Sequence, residues 1–396
     1  MTTTNPLSYL TEELEAWRHA GTFQRLRVLE SACAPVSHVD GREVINLASN
    51  NYLGLADHPK LVEAAVAATK KYGAGSGAVR TISGTMTLHM ELERRIAAFK
   101  NVEACVVFQS GFAANAGTVS AILGPEDHII SDSLNHASII DGCRLSRAKI
   151  HVYPHRDTVA AGRIMEGLDG KPGRKLMITD GVFSMDGDIG PLPALVELAE
   201  RHGAIMMIDD AHSSGVLGRN GRGTVDHFGL HGRVDIQVGT LSKAVGVLGG
   251  YVCGKRDLID YLYQRARPFL FSTSHPPAVA AACLAAFHIL ESEPERIEQL
   301  WDNTRYFKAA LTAAGFDTGT SETPIIPVMV GGAQKAHAFS RALFENGLFA
   351  TGIGFPTVPE GKARVRTIVT ATHTREMLDR AGEILSRVAR EMTILA

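Results

Sequence analysis

Between residues 104 and 239 short apolar runs alternate with stretches of helical periodicity, and no other feature narrows the possible architectures as much. The runs 104–109, 128–131, 150–153, 175–179, 204–208 and 234–239 read as strands; 112–123, 136–147 and 192–202 carry apolar residues at helical spacing, and helices over 59–72 and 86–99 precede them. Strand, helix, strand in series joins parallel neighbours through crossover helices. The expectation is an α/β domain around a mostly parallel sheet covered on both faces.

The flanks read differently. A short amphipathic helix over 7–20 and two strand-like segments around the turn Asp40-Gly41 form an N-terminal arm, 1–57. Beyond the large domain, 58–285, helices over 276–292 and 294–314 lead into "PIIPVMV", a helix over 334–346, "ARVRTIVT" and a helix over 374–392. These describe a smaller C-terminal α+β domain, 286–396.

Composition narrows the class of partner. With 45% hydrophobic residues the 396-residue chain can bury a large core, and 40 basic against 42 acidic residues leave no electrostatic footprint for nucleic acid or an anionic membrane. Small molecules are the expected partners. Five separated cysteines without a CxxC pair fit reduced thiols, the N-terminus lacks a basic segment followed by an apolar one, and no run approaches a membrane span. A cytoplasmic protein is expected.

In open α/β sheets ligands collect where strands end. Three strand ends here carry chemistry. "ACVVFQ" runs into Ser110-Gly111-Phe112 at the start of a helix, whose unpaired N–H groups can seat an anion; alone, the tripeptide is an ordinary strand-to-helix turn. "AIMMI" ends in Asp209-Asp210-Ala211-His212, a carboxylate at the lip of an apolar strand, which either caps a helix or pairs with a cation such as a protonated ring nitrogen. "DIQV" ends in Gly239-Thr240-Leu241-Ser242-Lys243, where the lysine is either a surface charge or a desolvated amine able to act as nucleophile and base. An anion seat, a carboxylate for a ring nitrogen and an amine, each at a strand end of one sheet, are the fixtures that pyridoxal 5'-phosphate (PLP) requires.

Two other patterns carry less. "GAGSGAVRTISG" follows a helix instead of a strand and lacks the full dinucleotide-loop spacing. His151 and His155 are four apart, but Pro154 between them argues against one helical metal-binding face, and they read as a surface pair with no metal site.

Taken together, "NLASNNYLGL", "GAGSGAVRTISGT", "QSGFAANAG", "SDSLNHASIIDGCRLS", "TDGVFSMDGDIGPL", "IDDAHSSGVLG", "GTLSKA", "RPFLFSTSHPP" and "ARVRT" run through nearly the whole chain. In that order they resemble the α-oxoamine synthases, PLP enzymes of fold type I, the aspartate-aminotransferase fold. The resemblance implies that Lys243 is the Schiff-base lysine, Asp209 the partner of the pyridine nitrogen and His212 a donor to the cofactor's phenolic oxygen. It also implies that His136 stacks on the cofactor ring and meets the substrate, and that Ser184 lies beside the ring oxygen. Ser110, Gly111, Phe112 and Thr240 would hold the phosphate, joined by Ser272 and Thr273 from the second subunit of a homodimer. Arg366 and Asn50 would meet the substrate carboxylate.

The reaction so implied joins the Cα of an amino acid to the acyl group of an acyl-CoA. "AVRTISGT" and "IIDGCRL" favour the branch that acetylates glycine at carbon, giving 2-amino-3-oxobutanoate and CoA. The near alternative takes alanine and a pimeloyl thioester and decarboxylates to 8-amino-7-oxononanoate. Val79 and Thr81 stand where a succinyl-using relative carries threonine and asparagine, which disfavours that donor. From a different reaction class, an aminotransferase would share the fold and need no CoA.

Overall fold

The computed structural model describes residues 5–395. In chain order its strands are β1 Val36–Val39, β2 Arg42–Asn46, β3 Ala104–Phe108, β4 His128–Asp132, β5 Lys149–Tyr153, β6 Lys175–Asp180, β7 Ile205–Asp209, β8 Ile236–Thr240, β9 Gly250–Gly254, β10 Ile325–Gly331, β11 Leu348–Phe349, β12 Thr351–Ile353 and β13 Ala363–Ile368. The chain divides into two compact units, one running from Asn50 to Trp301 and the other taking everything up to Ser49 together with everything from Asp302 onward.

The unit Asn50–Trp301 is built on a seven-stranded sheet in the order β3-β9-β8-β7-β6-β4-β5. Neighbours from β8 to β5 are parallel, whereas β9 is antiparallel to both β3 and β8. This is the mostly parallel α/β sheet of fold type I. Successive residues feed opposite faces, as the pleat requires: Ile129, Leu176, Ile178, Met207 and Val238 enter one core cluster, while Ile130, Met177, Met206 and Ile208 enter the other. Burial on both sides explains why these strands are apolar throughout instead of alternating.

Two features of the sheet place the site. Because β9 reverses direction between β3 and β8, β3 runs parallel to β8, so the C-terminal ends of β3, β4, β6, β7 and β8 share one edge. The strand order also turns back between β4 and β6: β5 lies outward of β4, whereas β7 and β8 follow β6 the other way. A ligand crevice belongs at such a reversal.

The second unit holds two three-stranded sheets, β1-β2-β11 and β10-β13-β12. Its core joins Leu47 to Phe307, Phe339, Val365 and Leu385, the last from the helix Arg375–Glu391. The two-residue turn Asp40-Gly41, with φ of 49° and 72°, closes β1 on β2 as its sequence dictates. The division differs from the expected one at both ends. The segment read as an arm pairs through β2 with β11 and contributes buried Val39, Val44 and Leu47, and the later boundary falls inside the helix Glu295–Ala313.

The sequence reading passed over β9, β11, β12 and the helices Thr158–Glu166 and Arg256–Arg265. Glycines at both ends of β9 read as loop, yet each admits another backbone: a Cβ on Gly250 would lie 2.3 Å from Ser110 O. Among the described residues no helix is long and apolar enough to cross a membrane.

Candidate active site

The shared edge gathers side chains from four strand ends. Continuing the pleat of β6, β7 and β8 past Ile178, Met207 and Val238 puts Asp180, Asp209 and Thr240 on the face covered by the helix Gly111–Ile122. Asp180 and Asp209 are register partners on β6 and β7.

Asp209 is buried and held from two directions. Its Oδ2 accepts from Asn115 Nδ2 at 2.6 Å and its Oδ1 from the Ala211 N–H at 2.8 Å. The second contact is the local turn that a capping residue would make; the first reaches across to the helix that starts at the anion seat. Asn115 Nδ2 also donates to Ser138 Oγ at 2.9 Å. Ser138 turns to His136, whose Nδ1 lies 2.7 Å from that hydroxyl and accepts from the Ser138 N–H at 3.2 Å. With Nδ1 accepting, the ring proton of His136 sits on Nε2.

His136 is the N-cap of the helix Ala137–Ser146. Its outer surface is open to solvent, yet desolvation of the inner edge, reinforced by the charge of Lys243 and opposed by Asp209, holds its imidazole below the usual range. Its N–H donates to Asp180 Oδ2 at 2.7 Å. Burial, then the charge of Asp209, hold the Asp180 carboxyl well above the usual carboxylate range, against the His136 N–H and the charge of Lys243. Lys243 and Asp209 thus act on the same two neighbours. Lys243 lies half-buried in the loop between β8 and β9.

The anion seat lies at the end of β3. Ser110 caps the helix Gly111–Ile122, its Oγ accepting from the Ala113 N–H at 3.0 Å, and helix geometry leaves the Gly111 and Phe112 N–H groups without intrahelical acceptors. A Cβ on Gly111 would stand 3.5 Å from Thr240 Cβ, so the end of β8 abuts the seat. Thr240 Oγ1 donates to Gly249 O at 2.8 Å and lies 2.7 Å from Ser242 Oγ. A helix N-terminus, hydroxyls, a buried carboxylate and an amine on one sheet edge form the donor set that PLP needs, and these residues fit it.

The remaining expected residues take varied positions. His212 is buried, its Nδ1 2.8 Å from the Tyr52 hydroxyl; a hydroxyl donating there leaves the ring proton on Nε2. Asn50 Oδ1 is buried without a hydrogen-bond partner among the described residues. Ser184 is half-buried in the 181–190 loop. Ser272 is half-buried and Thr273 exposed; Thr273 pairs with Val79, and its carbonyl accepts from Gln109 Nε2 at 2.9 Å. Arg366 belongs to β13 in the other unit.

Sequence reasoning missed Asn115, Ser138, Asp180 and Tyr52. Two of these left a signal: Asp180 ends "MITD" as Asp209 ends "MMID", and Asn115 stands four residues after Gly111, on the same helix face. The reading of His151 and His155 as a surface pair is corrected: His151 Nε2 lies 3.1 Å from His128 Nδ1, and His155 lies between two buried carboxylates. Among the described residues no cluster could hold a metal ion.

Residues 42–385 match the family described as aminotransferase class I and II. A relative from Symbiobacterium thermophilum, 8-amino-7-oxononanoate synthase, is 63% identical over 387 residues, covering 98% of this chain and 99% of its own. A Bacillus subtilis relative, 8-amino-7-oxononanoate synthase 1, is 54% identical over 393 residues, covering 99% and 100%. Among solved structures, a serine palmitoyltransferase from S. paucimobilis with bound PLP matches with a TM-score of 0.94 at 32% identity, over 99% of this chain and 100% of that one. The first expectation, acetyl transfer to glycine, is corrected by the two curated relatives, which carry the name of the alternative.

Proposed function

The chain belongs to the aminotransferase class I and II family and, within it, to the PLP-dependent α-oxoamine synthases, and we propose that it is an 8-amino-7-oxononanoate synthase. In this reading alanine and a pimeloyl thioester are the substrates. Alanine Cα gives up its proton and bonds to the acyl carbon, the thioester C–S bond breaks to release the thiol, and the alanine carboxylate leaves as carbon dioxide while a proton returns to Cα. The observation that carries the reading is 63% identity over 98% of the chain to a protein of that name.

PLP, when bound, supplies the electron sink for the pair left at Cα. The chain's own groups do the rest. Lys243 carries the Cα proton, a task suited to an amine placed among Asp209, Asp180 and His136. Asp209, oriented by Asn115 and the Ala211 N–H, holds positive charge on the ring nitrogen. His136, its Nδ1 engaged by Ser138, turns an Nε2–H donor toward the acyl oxygen. The N–H groups of Gly111 and Phe112 seat the phosphate, joined by the Thr240 hydroxyl when it exchanges its bond to Gly249 O for one to the phosphate. In the same reading His212 faces the phenolic oxygen, Ser184 lies beside the ring, Asn50 and Arg366 meet the substrate carboxylate, and Ser272 and Thr273 serve the partner subunit of a homodimer.

The test offers purified protein L-alanine with a pimeloyl thioester, and glycine with acetyl-CoA or succinyl-CoA, and follows thiol release. The pimeloyl pair should have the highest kcat/KM. A clear preference for acetyl-CoA and glycine overturns the assignment.

A further inference from the structure

A single ring outside the cluster ties together two of the loops that build it. His155, just beyond β5, has Nδ1 3.0 Å from Asp132 Oδ1 and Nε2 2.8 Å from Asp188 Oδ2. Both carboxylates are buried. Asp132 is the last residue of β4; its Oδ1 also accepts from the Leu134 N–H and its Oδ2 from the Arg156 N–H, each at 2.8 Å, which shapes the turn leading to His136. Asp188 lies in the 181–190 loop that carries Ser184, where the Phe183 N–H donates to Asp188 O at 3.0 Å and the Gly187 N–H to Phe183 O at 2.8 Å. The Phe183 ring meets His155 edge-on, centroids 4.4 Å apart.

We propose that His155 is a positioning residue of the cofactor site, pinning the loop that presents His136 to the loop that carries Ser184 by spanning Asp132 and Asp188. The inference rests on the reading above, in which His136 and Ser184 face PLP. Two carboxylates can accept from both ring nitrogens at once only when both carry protons, so the ring is a cation. Burial opposes that charge and the two aspartates overcome it, raising the imidazole to about 9. Arg156 also faces the brace, its Nη1 3.3 Å from Asp188 Oδ2, and the buried Asp180 carboxyl and the Tyr153 hydroxyl both feel the charge of Asp132. Arg156 holds φ at 59°, a left-handed conformation that its packed surroundings must sustain. The raised value gives the pH sense. The stability that the charged ring contributes is whole below about 6.5, the usual histidine value, and is lost, with the brace itself, as pH rises through about 9.

The test measures how fast the loaded protein releases PLP on dilution, across pH 7 to 10, for the wild type, His155→Asn, Ser184→Ala and Lys243→Ala, with the visible spectrum of each. Release from His155→Asn should be about tenfold faster at pH 7, the scale of one lost charge-assisted hydrogen bond, and should lack the acceleration near pH 9 that the wild type shows. A role confined to stability would lower the melting temperature and leave both release and spectrum unchanged. Wild-type release from His155→Asn, with Ser184→Ala and Lys243→Ala both altered, overturns the brace and leaves the site assignment standing. Wild-type behaviour of Ser184→Ala and Lys243→Ala overturns the site assignment, and the brace with it. Should His155→Asn not fold, Asp188→Ala removes one arm of the brace while Asp132 keeps the other: release should be faster at pH 7 and its acceleration should move below pH 9, and wild-type release with a wild-type pH profile overturns the brace.

Discussion

The side-chain amide of Asn115 stands 2.6 Å from Asp209 Oδ2, joining the helix that begins at the anion seat to the carboxylate at the end of β7. The same nitrogen reaches Ser138, so one side chain relays position from Asp209 to His136. Replacing Asn115 by alanine removes a donor from Asp209 and frees Ser138. We expect kcat to fall roughly tenfold to a hundredfold, the usual result of slight misplacement at a reacting centre, while stability falls by only about 1–3 kcal/mol. Steady-state kinetics beside a denaturation curve separate the two; a variant with wild-type kcat refutes the relay.

Lys100 and Asp210 form an ion pair at 2.7 Å with both side chains fully buried. Lys100 Nζ also donates to Arg222 O at 2.6 Å, and Asp210 Oδ1 accepts from Ser213 Oγ at 2.8 Å and from the Thr224 hydroxyl. Removing one partner strands the other charge. Lys100→Met should cost about 3–5 kcal/mol by denaturant unfolding, far more than an exposed pair such as Arg380–Glu383 would. A loss below about 1 kcal/mol would mean that this loop does not depend on the pair.

His275 gives an acid limb to stability. Burial, then the nearby His89 and Arg80, push its imidazole down to about 4. A histidine with a depressed value is held neutral in the fold and must be charged in acid. The stability it contributes is present above about 6.5 and is lost as pH falls through about 4, on the order of 3 kcal/mol. Melting temperatures across that range should drop for the wild type and drop less for His275→Gln; equal slopes would exclude His275 as the source.

Gly250 opens β9 where the strand crosses the anion seat, and a Cβ there would lie 2.3 Å from Ser110 O and 2.5 Å from Gly111 N. Both neighbours are backbone and cannot turn aside. Gly250→Ala should therefore weaken PLP binding as well as stability, the latter by about 1–3 kcal/mol as for other overpacked cores. Titration of PLP into stripped protein measures the first effect and thermal melting the second. Unchanged affinity would show that β9 does not set the seat.

What could be read from the chain was local. Apolar runs of 128–131, 175–179 and 204–208 sit within a residue of β4, β6 and β7, because a strand buried on both faces announces itself by composition alone. Lys243 and Asp209 drew attention because strand ends with polar residues stand out against such runs. The partners of those residues were not legible: Asn115 meets Asp209 across 94 positions, Lys100 meets Asp210 across 110, and Tyr52 meets His212 across 160. Nothing in local pattern encodes such pairings. His155 was misjudged for the same reason, since a histidine after a proline reads as surface until two distant aspartates are folded around it. In β9, "GYVCG" hid a strand because the glycines that serve its neighbours are the residues that usually end one.

The reversed strand β9 also dictates when the pocket can exist. Its partner on the sheet edge, β3, has no other strand neighbour among the described residues, and the pairing joins Ala104 to Gly254. β3 therefore gains its sheet partner only from the segment that follows Lys243. A contact between residues so far apart in sequence is slow to form and closes late. When it closes, the hairpin of β8 and β9 delivers the lysine loop beside the helix at Gly111 in one movement. The pairing of β9 is therefore what brings the lysine loop and the anion seat together.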